Sequence, residues 1–280
     1  MVAAGGGHGG MTVTVTVPPE PRLLLLRSDA PQQLYLESRL ADTGLPLSVV
    51  VESGARQRVR LRRQRRWRSW FWRVYQDVRH RWSGRSRFAR AYFAGPVPDL
   101  QRHHVDWISS AAARRLVADA RPEVVIVCGT SLIAPGILAG VPVAVNVHGG
   151  HLPAYKGNHG VFFAFAKGDF DYIGASLHLV TPELDAGPLL AVVRPEMRPD
   201  DHDGHLYCRA VRDVVDLLCV ELIRLSRGGM MRASAQPDGG STFRHRDRTP
   251  WIEVRTWWRR RTGRLRAPVR SASVEVFTER

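Results

Sequence analysis

The stretch VAVNVHGGHLPAYKGNHG, residues Val143–Gly160, decides how the fold of this chain is interpreted. It begins as a run of small β-forming residues and ends in Asn146 and His148, two polar side chains that are costly to bury. Because residues two apart on a strand project from the same face, these two side chains should point together. Taken alone, they are equally typical of a ligand site and of a buried amide beside a core histidine.

Predicted strands and helices alternate on both sides of this stretch. Apolar runs bounded by turn-forming residues predict strands over 21–28, 45–54, 123–130, 141–148, 172–180 and 188–197. Apolar residues at helical spacing predict helices over 31–44, 109–120, 159–169 and 203–229, the first capped by Ser28 or Asp29. This order predicts an α/β fold with a mostly parallel sheet flanked by helices. Since ligands bind beyond the carboxyl ends of such strands, Asn146 and His148 lie where a site is expected.

The positive charge is concentrated in two segments. The chain carries +15 overall, but residues 55–90 hold 14 Arg and one acid, and residues 244–280 hold 11 Arg and four acids, so everything else sums to −5. The Gly-rich and Pro-rich ends of residues 1–20 predict a disordered, dispensable leader. We predict one domain over 21–230, with a helical insert at 55–92. A basic C-terminal extension over 231–280, with at most one hairpin, would follow.

The insert is rich in arginine and tryptophan. Its aromatic and aliphatic residues recur at three- and four-residue spacing and define one face of a helix: Trp67, Trp70, Phe71, Val74 and Val78. We expect this face to dock on the domain, since tryptophan at helical spacing most often packs. An anionic membrane and nucleic-acid phosphates are the alternative partners.

Composition sets the class of protein and its compartment. With 44% hydrophobic and 24% charged residues, and without an apolar run long enough for a membrane span, the chain is typical of globular proteins. Cys128, Cys208 and Cys219 are widely spaced and odd in number, so we expect neither a disulfide framework nor a zinc site. We expect a cytoplasmic protein without a transmembrane segment.

A second motif suggests what Asn146 and His148 do. The segment LDAGP places Asp185 at the turn between two predicted strands. Asn146 could donate to a developing oxyanion, and His148 could donate as a cation or move a proton. Asp185 would hold that imidazole charged and help deprotonate an attacking ammonium. Because no Ser or Cys stands in a nucleophile elbow, direct acyl transfer to an amine is the simpler scheme.

The two motifs together carry a family resemblance. NVHGGHLPAYKG, followed by GASLHLVTPELDAGPLL, resembles the folate-dependent formyltransferases, which move a formyl group from 10-formyltetrahydrofolate to an amine. The resemblance extends over roughly residues 124–222 and implies a Rossmann-like sheet with Asn146, His148 and Asp185 as the catalytic residues. It also implies a folate pocket built from Cys128, Gly129, Thr130, Ser131, Leu132, Thr181, Leu184 and Gly187.

The sequence departs from the family pattern just after His148. The family usually has Ser-Leu-Leu-Pro where this chain has Gly150-His151-Leu152-Pro153, so the hydrogen bonding of this turn is not fixed by the resemblance. His151 and His159 have no acidic or cysteine partner at ligand spacing, and we expect no metal site. We interpret them as donors on the substrate side or as surface residues.

The acceptor amine is constrained mainly by exclusion. Family members that act on glycinamide ribonucleotide have a glycine-rich phosphate-binding loop after the first strand, and this chain has no glycine there. Members that act on methionyl-tRNA add a C-terminal barrel that helps hold the tRNA, and the C-terminal extension lacks the alternating strands of such a barrel. We therefore favour a small-molecule amine, either an amino sugar on a nucleotide carrier or an amine of specialised metabolism. Arginines of the insert would then meet a diphosphate.

Other functions stay open at this point. They are a methionyl-tRNA formyltransferase, another RNA- or membrane-associated protein that uses the insert, and a hydrolase of formyltetrahydrofolate. A nucleic-acid partner is not favoured, and the sequence leaves open whether the chain forms a homodimer.

Overall fold

The computed structural model describes residues 2–5, 12–82 and 85–276. Its strands are β1 (Val2–Gly5), β2 (Thr12–Val15), β3 (Leu23–Arg27), β4 (Leu47–Glu52), β5 (Arg102–Val105), β6 (Val124–Cys128), β7 (Val143–His148), β8 (Tyr155–Gly157), β9 (Ala175–Leu179), β10 (Leu189–Arg194), β11 (Met231–Ser234), β12 (Ser241–Phe243) and β13 (Ser273–Val276). Its α-helices are α1 (Pro31–Ala41), α2 (Gly54–Arg63), α3 (Trp67–Trp82), α4 (Arg85–Tyr92), α5 (Ala111–Ala120), α6 (Gly160–Lys167), α7 (Asp203–Ser226) and α8 (Pro250–Arg261).

One large sheet organises the chain. Its strand order is β1-β2-β11-β10-β9-β7-β6-β3-β4-β5, and β13 also pairs with β10. The strands from β5 to β7 are parallel, and helices pack against them, so the predicted Rossmann-like α/β fold is confirmed. The polar edge strand β5 was not predicted, because RHHV lacks the apolar run that reveals a buried strand.

The other half of the sheet is antiparallel. β9 runs antiparallel to β7, and β10 returns antiparallel to β9 after a short loop. This register places Asn146 directly opposite His178. The loop between β9 and β10 contains Asp185, so both sequence motifs meet near β7.

The predicted disorder of the leader is wrong for residues 2–5 and 12–15, which form β1 and β2. Strand β2 pairs with β1 on one side and β11 on the other, and its Val13 and Val15 are buried in the main core. Alternating Thr and Val in this strand suits a half-buried strand, which explains the difference. Residues 1 and 6–11 lie outside the described part of the chain.

The start of α1 also differs from the prediction. Ala30 occupies the N-cap position without a side-chain cap, so neither Ser28 nor Asp29 caps this helix. The carboxylate of Asp29 instead accepts hydrogen bonds from the hydroxyl of Ser53 at 2.9 Å and from the N–H of Gly54 at 3.2 Å. Asp29 therefore stabilises the start of α2, where the insert leaves the sheet.

The predicted aromatic face of α3 does not dock, and this helix makes polar contacts through another face. Trp67 is 54% exposed and Phe71 is 61% exposed, so the expected docking of this face is wrong. Gln76 on a different face of α3 donates to the carbonyl oxygen of His245 at 3.2 Å, and Arg79 pairs with Glu253. The C-terminal extension therefore helps to hold α3, while Phe88 and Tyr92 of α4 pack against the main core.

The C-terminal extension is more extensively ordered than one hairpin. β11 and β13 join the large sheet, whereas β12 pairs in parallel with β8. Phe243 of β12 stacks between the rings of Tyr155 at 5.7 Å and Phe163 at 4.0 Å. The extension therefore packs directly against the turn that follows His148.

Candidate active site

Asn146, His148 and Asp185 come together beside the carboxyl end of β7. The Nδ2 atom of Asn146 lies 3.5 Å from Oδ1 of Asp185, and Nδ1 of His148 lies 3.5 Å from Oδ2 of the same carboxylate. His148 and Asp185 are buried, and Asn146 is half-buried. One carboxylate therefore lies between an amide donor and an imidazole.

The carboxylate of Asp185 is held by a backbone donor as well as by side chains. The N–H of Gly157 donates to Oδ2 at 2.7 Å. Burial raises the pKa of Asp185, but the imidazole of His148 and the contacts with His178 and Gly157 outweigh it and lower the pKa to about 2. Asp185 is therefore an anion throughout the neutral pH range.

The surroundings of His148 favour the neutral form of its ring. Its Nε2 lies 3.1 Å from the carbonyl oxygen of Tyr155, while its Nδ1 faces Asp185. Burial lowers the pKa of His148, because it disfavours the charged ring more than the carboxylate of Asp185 favours it. The expectation that Asp185 keeps this imidazole charged is therefore wrong for the free site at pH 7.

His178 on β9 is a member of the cluster that the sequence analysis missed. Its Nε2 lies 2.9 Å from Nδ2 of Asn146, and its Nδ1 lies 2.8 Å from the carbonyl oxygen of Leu179. The carbonyl oxygen of Leu179 accepts from Nδ1, and the contact of Nε2 with the amide holds the orientation of Asn146. His178 could have been found only by predicting that β9 pairs with β7 in a register that places it opposite Asn146.

The packing of the turn after β7 explains why this chain has Gly150 where the family usually has serine. A Cβ atom on Gly150 would lie 2.7 Å from Nε2 of His148 and 2.8 Å from the carbonyl oxygen of Tyr155, so a side chain would disturb that contact. Ser176 on β9 supplies a hydroxyl instead. Its Oγ donates to the carbonyl of Gly150 at 2.9 Å and accepts from the N–H of Leu152 at 3.0 Å.

The C-terminal extension supports the site directly. Nε2 of Gln236 donates to the carbonyl oxygens of Asp185 at 2.9 Å and Gly187 at 2.7 Å. The N–H of Asn158, just after β8, donates to the carbonyl of Phe243 at 2.7 Å. This support could not be predicted from the sequence, because the contacts join segments far apart in the chain and no local motif marks them.

A cleft of about 1850 Å³ opens beside the cluster. Seven of the positions expected to bind folate line it: Cys128, Gly129, Thr130, Ser131, Leu132, Thr181 and Leu184. Gly187 is not among its lining residues. A Cβ there would overlap the carbonyl oxygen of Leu179, so this glycine allows close packing of the loop rather than forming the cleft wall.

The side chains of two lining residues, Ser131 and Cys128, have little to offer a ligand. Both the N–H and the hydroxyl of Ser131 donate at 2.8 Å to the buried carboxylate of Glu52. Burial raises the pKa of the Cys128 thiol to about 12, so it stays protonated and is a poor nucleophile. This segment can contribute its backbone and shape to a ligand more readily than its side chains.

The insert forms another wall of the cleft and brings arginines to it. Arg58 lines the cleft but pairs with Asp77 at 2.5 Å. Arg73 also lines it, and its guanidinium makes no hydrogen bond or ion pair with the residues that the structure describes. Burial lowers the pKa of Arg73, and the charges of Asp77 and Glu52 partly oppose that effect. A half-buried guanidinium facing a cleft suits an anionic group of a ligand.

The two additional histidines have different environments. His151 is buried, and neither ring nitrogen has a hydrogen-bond partner among the described residues, so the expectation of a surface residue or substrate donor is wrong. His159 lines the cleft, with Nε2 3.1 Å from Nδ1 of His245. Within residues 2–5, 12–82 and 85–276, no group of three or more His, Cys, Asp or Glu is placed to hold a metal ion.

Fold and site define a Rossmann-like α/β protein with an amide, an imidazole and a carboxylate grouped beside the end of a central strand. The sequence profile of the formyl transferase family matches residues 74–220, which include all three side chains. The chain belongs to the formyl transferase family, so the resemblance stated from the motifs is confirmed.

A curated relative is similar over about half of the chain. Methionyl-tRNA formyltransferase from Burkholderia cenocepacia is 29% identical over 148 residues, which make up 52% of this chain and 44% of that protein. The chain therefore matches less than half the length of this relative.

Solved structures share the fold at low sequence identity. A sugar N-formyltransferase from Shewanella superposes with a TM-score of 0.52 at 14% identity, over 79% of this chain and 76% of that one. HypX from Aquifex aeolicus, solved in complex with tetrahydrofolic acid, superposes with a TM-score of 0.51 at 15% identity, over 87% of this chain and 34% of HypX.

Proposed function

We propose that this chain transfers a formyl group from 10-formyltetrahydrofolate to the primary amine of a small molecule. The observation that carries the proposal is the grouping of Asn146, His148 and Asp185 beside a wide cleft. Membership of the formyl transferase family supports formyl as the transferred group. The tetrahydrofolic acid in the HypX structure supports a folate donor.

Each of the three side chains would have a role in direct transfer of the formyl group. The N–H of Asn146 that makes the long 3.5 Å contact with Asp185 would turn to the formyl oxygen and donate to it as negative charge develops there. The amine nitrogen attacks the formyl carbon, the bond from that carbon to the folate nitrogen breaks, and the folate nitrogen takes up a proton. The neutral ring of His148, beside the anionic Asp185, accepts the proton that the amine loses and passes it on. The protonated Cys128 has no part in this route.

The acceptor that we favour carries an anionic group. The cleft volume of about 1850 Å³ exceeds the range of roughly 300–1,000 Å³ that is typical for one small ligand, so it has room for a folate and a second large substrate. Arg73 would meet a phosphate of that substrate. The structural similarity to a sugar N-formyltransferase supports an amino sugar on a nucleotide carrier, with an amine of specialised metabolism as the other member of this class.

A donor-release assay tests the reaction. Supplying 10-formyltetrahydrofolate with a panel of nucleotide-linked amino sugars, free amino sugars and small amines should release tetrahydrofolate only when an accepted amine is present. Mass spectrometry should show the corresponding N-formyl product. Release of tetrahydrofolate at the same rate without any amine would identify a hydrolase instead.

Replacing Arg73 tests the proposed anionic group. Arg73→Gln should raise KM for a nucleotide-linked amine at least about tenfold, the scale of one lost charge-assisted contact, and leave KM for the formyl donor nearly unchanged. Arg68→Gln, an exposed position on the same helix that does not line the cleft, is the matched control. Equal effects on charged and uncharged acceptors would rule out this role.

Methionyl-tRNA is the second candidate acceptor, because the curated relative at 29% identity acts on it by name. Adding methionyl-tRNA to the same assay separates the two: formylation of the tRNA in preference to every small amine would replace our proposal. We place the reaction in the cytoplasm, which the three free, buried cysteines support.

A further inference from the structure

Helix α8 turns an aromatic face away from the protein. Trp251 is 74% exposed, Trp257 56% and Trp258 47%, and Val254 beside them is also exposed. The opposite face anchors the helix: Thr256 is buried, and Arg259 donates to the carbonyl oxygen of Ala166 at 2.6 Å. The outer face is therefore presented on a fixed helix.

Arginines surround this aromatic face. Residues 255–266 hold six Arg and no acid. Arg255, Arg260 and Arg261 are exposed, and their side chains make no hydrogen bond or ion pair with the part of the chain that the structure describes. The guanidinium of Arg264 lies 4.8 Å from the ring centre of Trp258. The surface thus combines apolar rings with uncompensated positive charge.

We propose that the outer face of α8 binds an anionic lipid surface. The indole rings would lie at the boundary between headgroups and acyl chains, where tryptophan is favoured, and the arginines would contact lipid phosphates. The charge of this face opposes a second copy of the same face, because like charges would meet across the contact. The exposed Val254 favours an apolar boundary over stacked nucleic-acid bases, which aromatic rings alone would serve.

This inference concerns attachment to a surface and does not depend on the proposed reaction. Of the residues that the structure describes, no helix is both long enough and apolar enough to cross a bilayer. The contact would therefore be peripheral and reversible, and its electrostatic part should weaken as salt is added.

Sedimentation with vesicles tests the proposal on the full chain. We expect co-sedimentation with vesicles of mixed phosphatidylglycerol and phosphatidylcholine, weakening with added salt, and little binding to pure phosphatidylcholine. The triple variant Trp251→Ser/Trp257→Ser/Trp258→Ser and the charge variant Arg260→Glu/Arg261→Glu should each lower the partition coefficient at least about tenfold. Circular dichroism and thermal unfolding check that both variants fold.

The matched control lies on the insert. Trp67 and Phe71 on α3 are similarly exposed, so Trp67→Ser/Phe71→Ser removes comparable apolar area elsewhere and should leave vesicle binding unchanged. Three results would overturn the proposal. They are wild-type binding by both folded α8 variants, loss of binding in the α3 control alone, and retention on polyuridylate RNA without retention on anionic vesicles.

Discussion

At the residue scale, the site depends on how Asp185 is held. Its carboxylate accepts the N–H of Gly157 and lies between Asn146 and His148. Its backbone has a φ of +50°, in the left-handed region that Asp tolerates better than most residues. The low pKa of Asp185 and the lowered pKa of His148 leave an anion beside a neutral base, which suits removal of a proton from an amine.

The pH dependence of catalysis follows from these two groups. In the proposed mechanism protonation of His148 removes the base, so kcat/KM for the formyl donor should fall as pH drops through the pKa of His148, which lies below 6.5. Asp185→Asn removes the charge that raises this pKa, so the acidic limb should move to lower pH while the plateau falls. A limb that stays in place or moves to higher pH in Asp185→Asn would show that His148 is not the titrating group.

His151 gives a second residue-scale prediction, on stability. Burial, and after it the charge of Arg194, lowers the pKa of His151 from 6.5 to about 4. Between these values the unfolded chain binds more protons than the folded protein, so the free energy of unfolding falls as pH falls, by about 1.4 kcal/mol per pH unit. This contribution is fully present above pH 6.5 and is lost through the window down to about pH 4.

Replacing His151 by an apolar residue should therefore stabilise the protein. His151→Leu removes two buried ring nitrogens without partners among the described residues and should raise the free energy of unfolding by about 1 kcal/mol at pH 7. It should also flatten the loss of stability below pH 6.5. Urea unfolding across this pH range measures both effects, with the exposed His104→Leu as control. Destabilisation at every pH would mean that the imidazole has a partner role.

At the element scale, the antiparallel pairing of β7 with β9 accounts for what the sequence could and could not predict. The Asn-x-His pattern at the end of an apolar strand is local, so it marked Asn146 and His148 correctly as neighbours at a strand end. His178 opposes Asn146 only because β9 runs antiparallel to β7, and the sequence patterns were interpreted as a mostly parallel sheet. The contacts of Gln236 and Phe243 join segments far apart in the chain, which no local pattern predicts.

Gln236 tests whether the C-terminal extension positions the Asp185 loop. Gln236→Leu removes both donors to this loop and should lower kcat about tenfold or more, with little change in KM for the formyl donor. Gln236→Glu keeps the size but lacks the donors, so it should behave like the leucine variant. The exposed Gln101→Leu is the control. Loss of thermal stability without loss of kcat would restrict Gln236 to a structural role.

At the scale of the whole molecule, both ends of the described chain add strands to the sheet. β2 near the amino terminus pairs with β11 of the extension, and β13 pairs antiparallel with β10. The charge pattern indicates two separate basic segments, but the structure joins them. Gln76 donates a hydrogen bond to the carbonyl oxygen of His245, and Arg79 forms an ion pair with Glu253. The sequence shows their charge but not this contact, because ion pairing between distant segments has no periodic pattern.

Strand β2 is expected to contribute to global stability. Val15 is buried in the main core, so Val15→Ala should lower the free energy of unfolding by about 2 kcal/mol through lost burial and the cavity it leaves. Thr14→Ala, which changes the other face of the same strand, should cost much less. Denaturant unfolding compares the two variants. Equal, negligible effects would mean that this strand is dispensable, as the sequence analysis expected for residues 1–20.

The most direct test of the proposed reaction is amine-dependent turnover in three alanine variants. Asn146→Ala, His148→Ala and Asp185→Ala should each fold, and each should release tetrahydrofolate from the formyl donor at least about a hundredfold more slowly than the unaltered chain, the scale of one lost oxyanion donor. A near-normal rate in any one of the three, with an accepted amine present, would contradict the account.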